Sequence, residues 1–588
     1  MQAGRNVMKQ HEVAALFAQM ADLLEYWGEN PFRIRAYRRA AQNLESFSGD
    51  LEALAQAQRL NELSGIGTDL ANKITEYVTT GEIRAFEQLK RSIPAGVLHL
   101  LDVPGLGPKT AKLLTERLKI SSLQELEAAA RGGRIRVLPG FGEKKEQNIL
   151  KGIEIVKRGR ERMHLGVALP LAQALVTFLT QIPGVTRASS AGSVRRMRET
   201  IGDLDILAAS SAPARVMDAF RRSPLCASVL MSGPTKSSVL TSDGLQVDLR
   251  VVEPESFGAA LQYFTGSKEH NVHVRELAIR QGLKMNEYGV FRVQGKTERR
   301  IASREEADVY RAVGLAWIPP ELREDQGEID AAKAGELPSL VEAKHIRGDF
   351  HIHTVWSDGS DSLEAVAQAG EAKGYEYLAI CDHSRSLKVA HGMSIERLRE
   401  QMTLIRAWNK RSKRLHLLMG AEVDILSDGS MDYPDAVLAE LDFVVGSIHT
   451  GFTQSEVLLT KRMVTAMRNP YVTLIAHPTG RLMGQREPYP INLEEVFRAA
   501  NDTGTAMEIN AYPKRLDLAD TAARRAKELG VMLTISTDTH HLDQLGHMAI
   551  GLGVARRAWV EPRQLLNCLT LKQLTGWIAR QRARKQAA

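Results

Sequence analysis

The chain has 588 residues, more than one hydrophobic core usually holds, so three or four domains are expected. Hydrophobic side chains make up 44% and charged ones 25%, which excludes a largely disordered or fibrous protein, and no run of 18 apolar residues occurs, which excludes a membrane-spanning helix. A net charge of +7 permits an anionic partner without requiring one, while three widely spaced cysteines (Cys226, Cys381, Cys568) and an N-terminus lacking a long apolar segment fit a protein of the reducing cytoplasm.

Residues 1–165 read as helical, with apolar side chains at helical spacing in VAALFAQMADLLEY (13–26) and RAYRRAAQNL (35–44). Three glycine hairpins punctuate them: Ser64-Gly65-Ile66-Gly67, Pro104-Gly105-Leu106-Gly107 and Pro139-Gly140-Phe141-Gly142, spaced by 40 and 35 residues. Each follows a hydrophobic segment and precedes a polar, helix-forming run. Paired glycines allow a tight turn, and the helix start beyond it offers backbone N–H groups to a phosphate oxygen without reading base sequence. Lys109, Lys144 and Lys145 follow two of these hairpins. A single G-x-G is an ordinary helix–helix turn. Three with the same hydrophobic-glycine patterning resemble helix-hairpin-helix motifs, which hold a DNA backbone.

Residues 166–318 change character, with strand-like runs LDILAAS (204–210), LQVDLRVV (245–252) and YGVFRV (288–293) between helical segments. Asp203 and Asp205 stand two apart on a predicted strand, so both carboxylates share one face. Asp248 can be brought alongside by sheet pairing. Three carboxylates on one face suit two Mg²⁺ ions, which prefer oxygen ligands plus substrate phosphate. Such ions lie about 3.5–4 Å apart, one activating an attacking oxygen and one stabilising the leaving oxygen. In the preceding Gly192-Ser193-Val194-Arg195-Arg196, Ser193 and Arg196 suit an anionic triphosphate.

The segment GSVRRMRETIGDLDIL (192–207) is similar to the nucleotidyltransferase signature of family X DNA polymerases, the DNA polymerase beta kind. The likeness continues through Tyr263-Phe264-Thr265-Gly266-Ser267, Asn271, Arg275 and NEYG (286–289), and reaches AYRRAAQNL (36–44) and LSGIGTDLANKITEYVTTGEIRAFEQL (63–89). The resemblance implies that Asp203, Asp205 and Asp248 bind Mg²⁺ (or Mn²⁺), with Asp248 helping to activate a primer 3′-hydroxyl. It implies that Gly192, Ser193, Arg196 and Gly202 surround the phosphates of an incoming deoxynucleoside triphosphate. Tyr263, Phe264 and Gly266 would pack against its sugar, Asn271 would touch its base edge, and Arg275 the template. In the N-terminal domain of such polymerases a lysine Schiff base can remove a sugar phosphate. Lys73 occupies that position and Arg33, Tyr37 and Arg38 could hold a 5′-phosphate, but Asp69 stands where the relatives are basic, and a plain surface lysine is an equal reading. Gln246 likewise replaces an arginine beside the third carboxylate.

Pro319 to Ser339 is polar, acidic and proline-punctuated, as a linker would be. Beyond about Gly348, short apolar runs alternate with helical patterns, which points to a parallel sheet in a β/α barrel. Eleven of the 16 histidines lie from His345 onward. His351 and His353 share a strand face, Asp358 follows in a turn, and His383, Glu422, His449, His477, Asp538 and His540 come at the ends of successive apolar runs. Nine such groups converging at the C-terminal ends of barrel strands would crowd charge and lone pairs unless metals, Zn²⁺, Mn²⁺ or Fe²⁺, neutralise them.

These runs resemble the PHP (polymerase and histidinol phosphatase) domain over about residues 346–575. That resemblance implies up to three Zn²⁺ or Mn²⁺ ions. One would be held by His351, His353, Glu422 and Asp538, a second by Glu422, His449 and His477, and the third by Asp358, His383 and His540. It also implies hydrolysis of a phosphate ester by water that the metals activate. The expected architecture is multidomain. A helical lyase-like domain with a helix-hairpin-helix spans 1–90, and a second helix-hairpin-helix subdomain spans 91–165. An α+β nucleotidyltransferase palm (166–252), a nucleotide-selecting thumb (253–318) and a linker (319–345) lead to a distorted (β/α)7 PHP barrel (346–588). The expected function is a monomeric DNA repair polymerase that fills short gaps in primer-template DNA. It would also trim 3′ ends as a 3′–5′ exonuclease, 3′-phosphatase or abasic-site endonuclease. The alternatives are a DNA-binding scaffold with decayed sites and a PHP domain acting on a small phosphate ester.

Overall fold

A computed structural model describes residues 2–46, 51–63, 65–91, 93, 97, 100, 101, 103, 106–159, 162–241, 244–294, 297–483 and 486–587. They fall into two compact units, one of Met1–Met163, Leu175–Ser190 and Gly202–Gly314, the other of His164–Ala174, Ala191–Ile201 and Leu315–Ala588.

The first unit begins with helices built from the apolar stripes noted above. Val13, Phe17, Met20 and Leu24 recur every three or four residues and are buried in helix Gln2–Trp27, which packs on helix Pro31–Ser46. The glycine turns lead into helices Thr68–Thr80, Pro108–Leu118 and Glu143–Gly159. Gly65 (φ 78°) and Gly140 (φ 80°) adopt the left-handed conformation that a side chain would disfavour. Gly105 lies outside the described residues.

Next comes a five-stranded sheet of β1 (Val185–Ser190), β2 (Asp203–Ser210), β3 (Ser228–Ser232), β4 (Lys236–Leu240) and β5 (Gln246–Val252). Its order is β1-β2-β5-β4-β3, with β2 and β5 parallel and the other pairs antiparallel. Leu204, Ile206 and Leu207 of β2 are buried, which fixes the register of the carboxylates between them. Helices Phe257–Thr265 and Lys268–Arg280 follow, then an antiparallel sheet of β6 (Leu283–Asn286), β7 (Gly289–Gln294) and β8 (Thr297–Ala302).

In the second unit seven parallel strands run in sequence order: β9 (Gly348–Ile352), β10 (Tyr377–Ile380), β11 (His416–Asp424), β12 (Phe443–Ser447), β13 (Val472–Ile475), β14 (Ala506–Asn510) and β15 (Leu533–Ser536). They are buried almost throughout, as strands covered by helices must be. The last strand returns to the first just past their ends. The His353 N–H donates to the Thr539 carbonyl (2.8 Å) and the Thr539 N–H to the His351 carbonyl (3.3 Å), nearly closing the barrel. Phe350 stacks on Phe443 (centroids 4.8 Å apart) in its core.

Residues 319–345 are ordered within this unit. They form a turn at Pro320–Leu322 and helix Glu328–Ala334, with Leu322, Arg323 and Ile329 buried. The short segment Ala191–Ile201 belongs here too. Arg557 donates to the Arg196 carbonyl (2.9 Å), and Arg481 pairs with Glu199 (3.2 Å).

Candidate active sites

The parallel pairing of β2 with β5 puts Asp205 directly opposite Asp248 and Asp203 opposite Gln246. All three carboxylates therefore share one face of the sheet, next to one another. Burial first, and then Asp203 and Asp248, push the Asp205 carboxyl up to about 7; Asp203 is raised by burial and then by Asp248. Like charges gathered in this way call for a cation. Lys236 Nζ lies 3.1 Å from Asp248, and Gln246 donates to the same carboxylate (2.9 Å), so the glutamine makes an orienting contact to the third carboxylate.

Around this sheet the sequence-derived residues take distinct places. Gly202 immediately precedes β2, and a side chain added there would meet the Arg162 guanidinium at 3.3 Å. Tyr263 and Phe264 contact each other edge-to-face (5.0 Å), with Arg275 over the Tyr263 ring (5.8 Å) and Arg250 over the Phe264 ring (4.4 Å). Gly266 ends their helix at positive φ (69°). Asn271 is fixed at both ends of its amide, donating to the Tyr263 carbonyl (2.6 Å) and accepting from Gln262 (2.7 Å). In the second unit, Gly192 and Ser193 form a single helical turn. Arg196 donates to Glu324 (3.0 Å), which also accepts from Arg557 (2.9 Å).

Among the N-terminal helices, Gly67 and Gly107 are N-caps with no side-chain cap bond, so side chains leave the first-turn N–H groups of both helices uncapped. The space where a side chain would stand at Gly67, Gly107, Gly140 and Gly142 is open, as close approach of a DNA backbone requires. Lys109 is exposed. The residues expected at a 5′-phosphate are otherwise engaged: Lys73 pairs with Asp69, Arg33 with Glu29 (3.6 Å), and Arg38 with Asp22 and Glu25. Tyr37 packs edge-on to Phe17 (5.4 Å) in the helical core, 1% exposed.

At the C-terminal mouth of the barrel all nine expected donors converge. Glu422 on β11 lies at the centre. Its Oε2 is 3.3 Å from His351 Nε2, 3.6 Å from His353 Nε2 and 2.9 Å from His383 Nδ1. Its Oε1 faces another set, His449 Nε2 (3.2 Å) and His477 Nε2 (3.0 Å). The two oxygens of one carboxylate thus serve separate groups of imidazoles, the geometry of a bridging ligand. Asp538 Oδ1 lies 3.3 Å from His353 Nε2 and 3.8 Å from His351 Nε2. Asp358 takes the other side, with His540 Nε2 at 3.4 Å, His383 Nε2 at 3.5 Å and His353 Nδ1 at 3.7 Å.

Donors around a tetrahedral metal with bonds of about 2.0–2.1 Å stand about 3.3 Å apart, close to these separations. His351 Nε2, both nitrogens of His353 and His383 Nδ1 are buried without a hydrogen bond, a costly arrangement unless a cation takes their lone pairs. The ligand atoms fall into three groups: His351, His353 and Asp538; His383, Glu422 and His449; and His353, Asp358, His383 and His540. Burial opposes charge on Glu422 and Asp538, yet the imidazoles, His351 foremost, hold both well below the usual carboxylate range. Burial and neighbouring imidazoles push His353 down to about 3. The donor set suits divalent metals.

Buried carboxylates behind the donors escaped sequence reasoning. Asp424 accepts from His449 Nδ1 (2.5 Å), and Glu508 lies 2.9 Å from His351 Nδ1. Asp382 accepts from the N–H groups of Thr354 (2.8 Å) and Ser357 (3.1 Å) in the loop that carries Asp358. Their one sequence signal is an acidic residue at or beside the end of an apolar strand, as in AMEIN (506–510).

A helical DNA-backbone module, a sheet with three adjoining carboxylates and a histidine-rich metal-binding barrel together define a class: multidomain, metal-dependent enzymes of nucleic-acid phosphate chemistry. Residues 8–83 match the helix-hairpin-helix domain family, 97–154 the SAM-like helix-hairpin-helix tandem, 260–324 the DNA polymerase beta thumb and 349–511 the PHP domain. The chain is 39% identical over 575 residues to the DNA polymerase/3′-5′ exonuclease PolX of Bacillus subtilis, covering 97% of this chain and 100% of that one. It belongs to the bacterial family X DNA polymerases with a C-terminal PHP domain. The PHP region alone is 29% identical to a probable phosphatase of Thermoanaerobacter sp. (strain X514), over 37% of this chain and 89% of that protein. It is also 29% identical to a probable phosphatase of Acetivibrio thermocellus, over 34% and 81%. No helix among the described residues is long and apolar enough to cross a membrane.

Proposed function

We propose that this chain is a DNA polymerase and 3′–5′ exonuclease of DNA repair, with two separate active sites. The observation that carries the reading is the pairing of two donor assemblies in one chain: Asp203, Asp205 and Asp248 on one sheet, and nine His/Asp/Glu donors centred on Glu422 at a barrel mouth. Substrates are gapped or primer-template DNA and deoxynucleoside triphosphates, and the working form is a monomer in the cytoplasm.

At the first site Asp203, Asp205 and Asp248 would hold Mg²⁺, or Mn²⁺, which supplies charge to the attacking and leaving oxygens. Asp248, oriented by Gln246, accepts the proton-bearing end of the primer. Gly192, Ser193, Arg196 and Gly202 take the triphosphate, with Arg196 exchanging its Glu324 partner for phosphate. Tyr263, Phe264 and Gly266 wall the sugar, Asn271 meets the base, and Arg275 meets the template. The glycine hairpins at Gly65/Gly67, Gly105/Gly107 and Gly140/Gly142, with Lys109, hold backbone phosphates. Lys73, paired with Asp69, is proposed as a DNA contact rather than a Schiff-base lysine.

At the second site up to three Zn²⁺ or Mn²⁺ ions would be held. One set is His351, His353, Glu422 and Asp538, another Glu422, His449 and His477, and the third Asp358, His383 and His540. Bound by these residues, such metals would supply a water acidic enough to act on a phosphate ester at neutral pH. Similarity to probable phosphatases supports a terminal 3′-phosphate as a further substrate.

Primer extension and 3′-end degradation by Asp205→Ala and His353→Ala proteins test the assignment. Asp205→Ala should lose extension by at least about 10²-fold and keep degradation, and His353→Ala the reverse. Retention of both activities by both variants would refute it.

A further inference from the structure

Glu508 lies on β14 with no solvent exposure, in direct contact with two of the barrel-mouth donors, and none of the expected ligand sets includes it. Three donors converge on its two oxygens. Oε1 accepts from His351 Nδ1 (2.9 Å); Oε2 accepts from the His477 N–H (2.7 Å) and from Asn510 Nδ2 (3.1 Å). Asn510 Nδ2 also donates to Asp538 Oδ2 (3.1 Å). One carboxylate is therefore tied to donors following or within three different strands: β9, β13 and, through Asn510, β15.

Each contact does something specific. Accepting at Nδ1 assigns that proton to His351 and leaves its Nε2 lone pair directed at the Glu422 side, the tautomer a metal needs. His477 (φ 30°) and Asp538 (φ 53°) both sit at positive φ, a conformation unfavourable to a non-glycine residue. A charge-assisted hydrogen bond to the His477 N–H and the Asn510 bridge to Asp538 offset that cost at these two donors. Only a carboxylate can accept all three donors. A glutamine in its place would turn an NH₂ towards His351 Nδ1–H on one side, or towards the His477 N–H and Asn510 NH₂ on the other.

We propose that Glu508, acting with Asn510, is the positioning residue of the barrel-mouth metal centre: it sets the His351 tautomer and locks the strained backbones of His477 and Asp538 in their metal-ready geometry. This rests on the reading of those three residues as ligands. Glu508 touches neither substrate nor metal, and its effect is on metal affinity rather than on the chemical step.

The test is Mn²⁺ binding by the full-length, chelator-stripped protein in an Asp205→Asn background, followed by calorimetry and by the rise in melting temperature on adding Mn²⁺. Glu508→Gln should weaken Mn²⁺ binding about 10–100-fold and shrink that rise, measured from the variant's own metal-free melting temperature. In the Asp205 wild-type background, 3′-end degradation should need correspondingly more Mn²⁺ and recover its rate at saturation. Equal Mn²⁺ affinity in Glu508→Gln and its parent would overturn the proposal while leaving the metal centre standing. A parent that binds no Mn²⁺ would overturn both. If Glu508→Gln melts early without metal, Asn510→Ala decides. It cuts the link to Asp538 but leaves Glu508 beneath His351, and unchanged Mn²⁺ affinity there overturns the coupling of Asp538 to Glu508.

Discussion

At the scale of single residues, charge explains most of what the two sites do. The Asp205 carboxyl is lifted from about 3.8 to about 7 by burial and by its two acidic neighbours. The folded, metal-free protein therefore holds a proton there more tightly than the unfolded chain. The stability this provides is complete below about 3.8 and is lost as pH rises through about 7. Asp205→Asn should remove this component. Between about pH 4 and 8 the metal-free wild type should lose roughly 2–4 kcal/mol more unfolding free energy than the variant, as measured by urea titration. Parallel pH profiles for the two proteins would count against a buried acidic triad. The carboxylates and imidazoles proposed to act on phosphate were legible in the sequence because period-two alternation places Asp203 and Asp205 on one face, and because ligand-type residues repeat at strand ends. Glu508, Asp424 and Asp382 were not, because their role lies in which imidazole or loop N–H group they accept from, and that partner can be over a hundred residues away, as with His351 and Glu508, separated by 157.

At the scale of elements, the same backbone feature serves as structure and as binding surface. The helix starts at Thr68 and Pro108 follow glycine N-caps whose missing side chains leave N–H groups to an outside oxygen. Lys109, in the first turn of its helix, largely exposed and 3.8 Å from Glu25, adds a positive charge to that end. Lys109→Ala should weaken DNA binding equally for different sequences and lower the slope of log affinity against log salt by about 1, a change that fluorescence anisotropy at several salt concentrations would read. A sequence-dependent loss, or an unchanged slope, would show that this hairpin does not meet phosphate. The N-terminal helices and the strands around Asp205 and Asp248 follow from apolar periodicity, and the alternation of apolar runs with helical patterns points to a β/α barrel without giving its strand order. The closure of the barrel through Thr539 does not, since it rests on two hydrogen bonds between the first strand and the segment after the last.

At the scale of the whole molecule, the chain divides its chemistry between two assemblies built from different folds. The division between compact units is less simple than the linear order of motifs. The Gly192–Arg196 turn carries a polymerase signature yet packs with Glu324 and Arg557, partners 128 and 361 residues distant in the chain, which no local pattern could disclose. The acidic stretch after Pro319 has the composition of a tether, but buried Leu322, Arg323 and Ile329 make it part of the fold. Two independent cation-binding centres are what the account requires above all. Anomalous diffraction from crystals of the full chain soaked in Mn²⁺ locates them directly. The expected map has one set of peaks beside Asp205 and Asp248 and a second set around Glu422, bounded by His351, His353, His449 and His540. A map with no peak at either cluster, or with manganese only at surface carboxylates, would contradict the account.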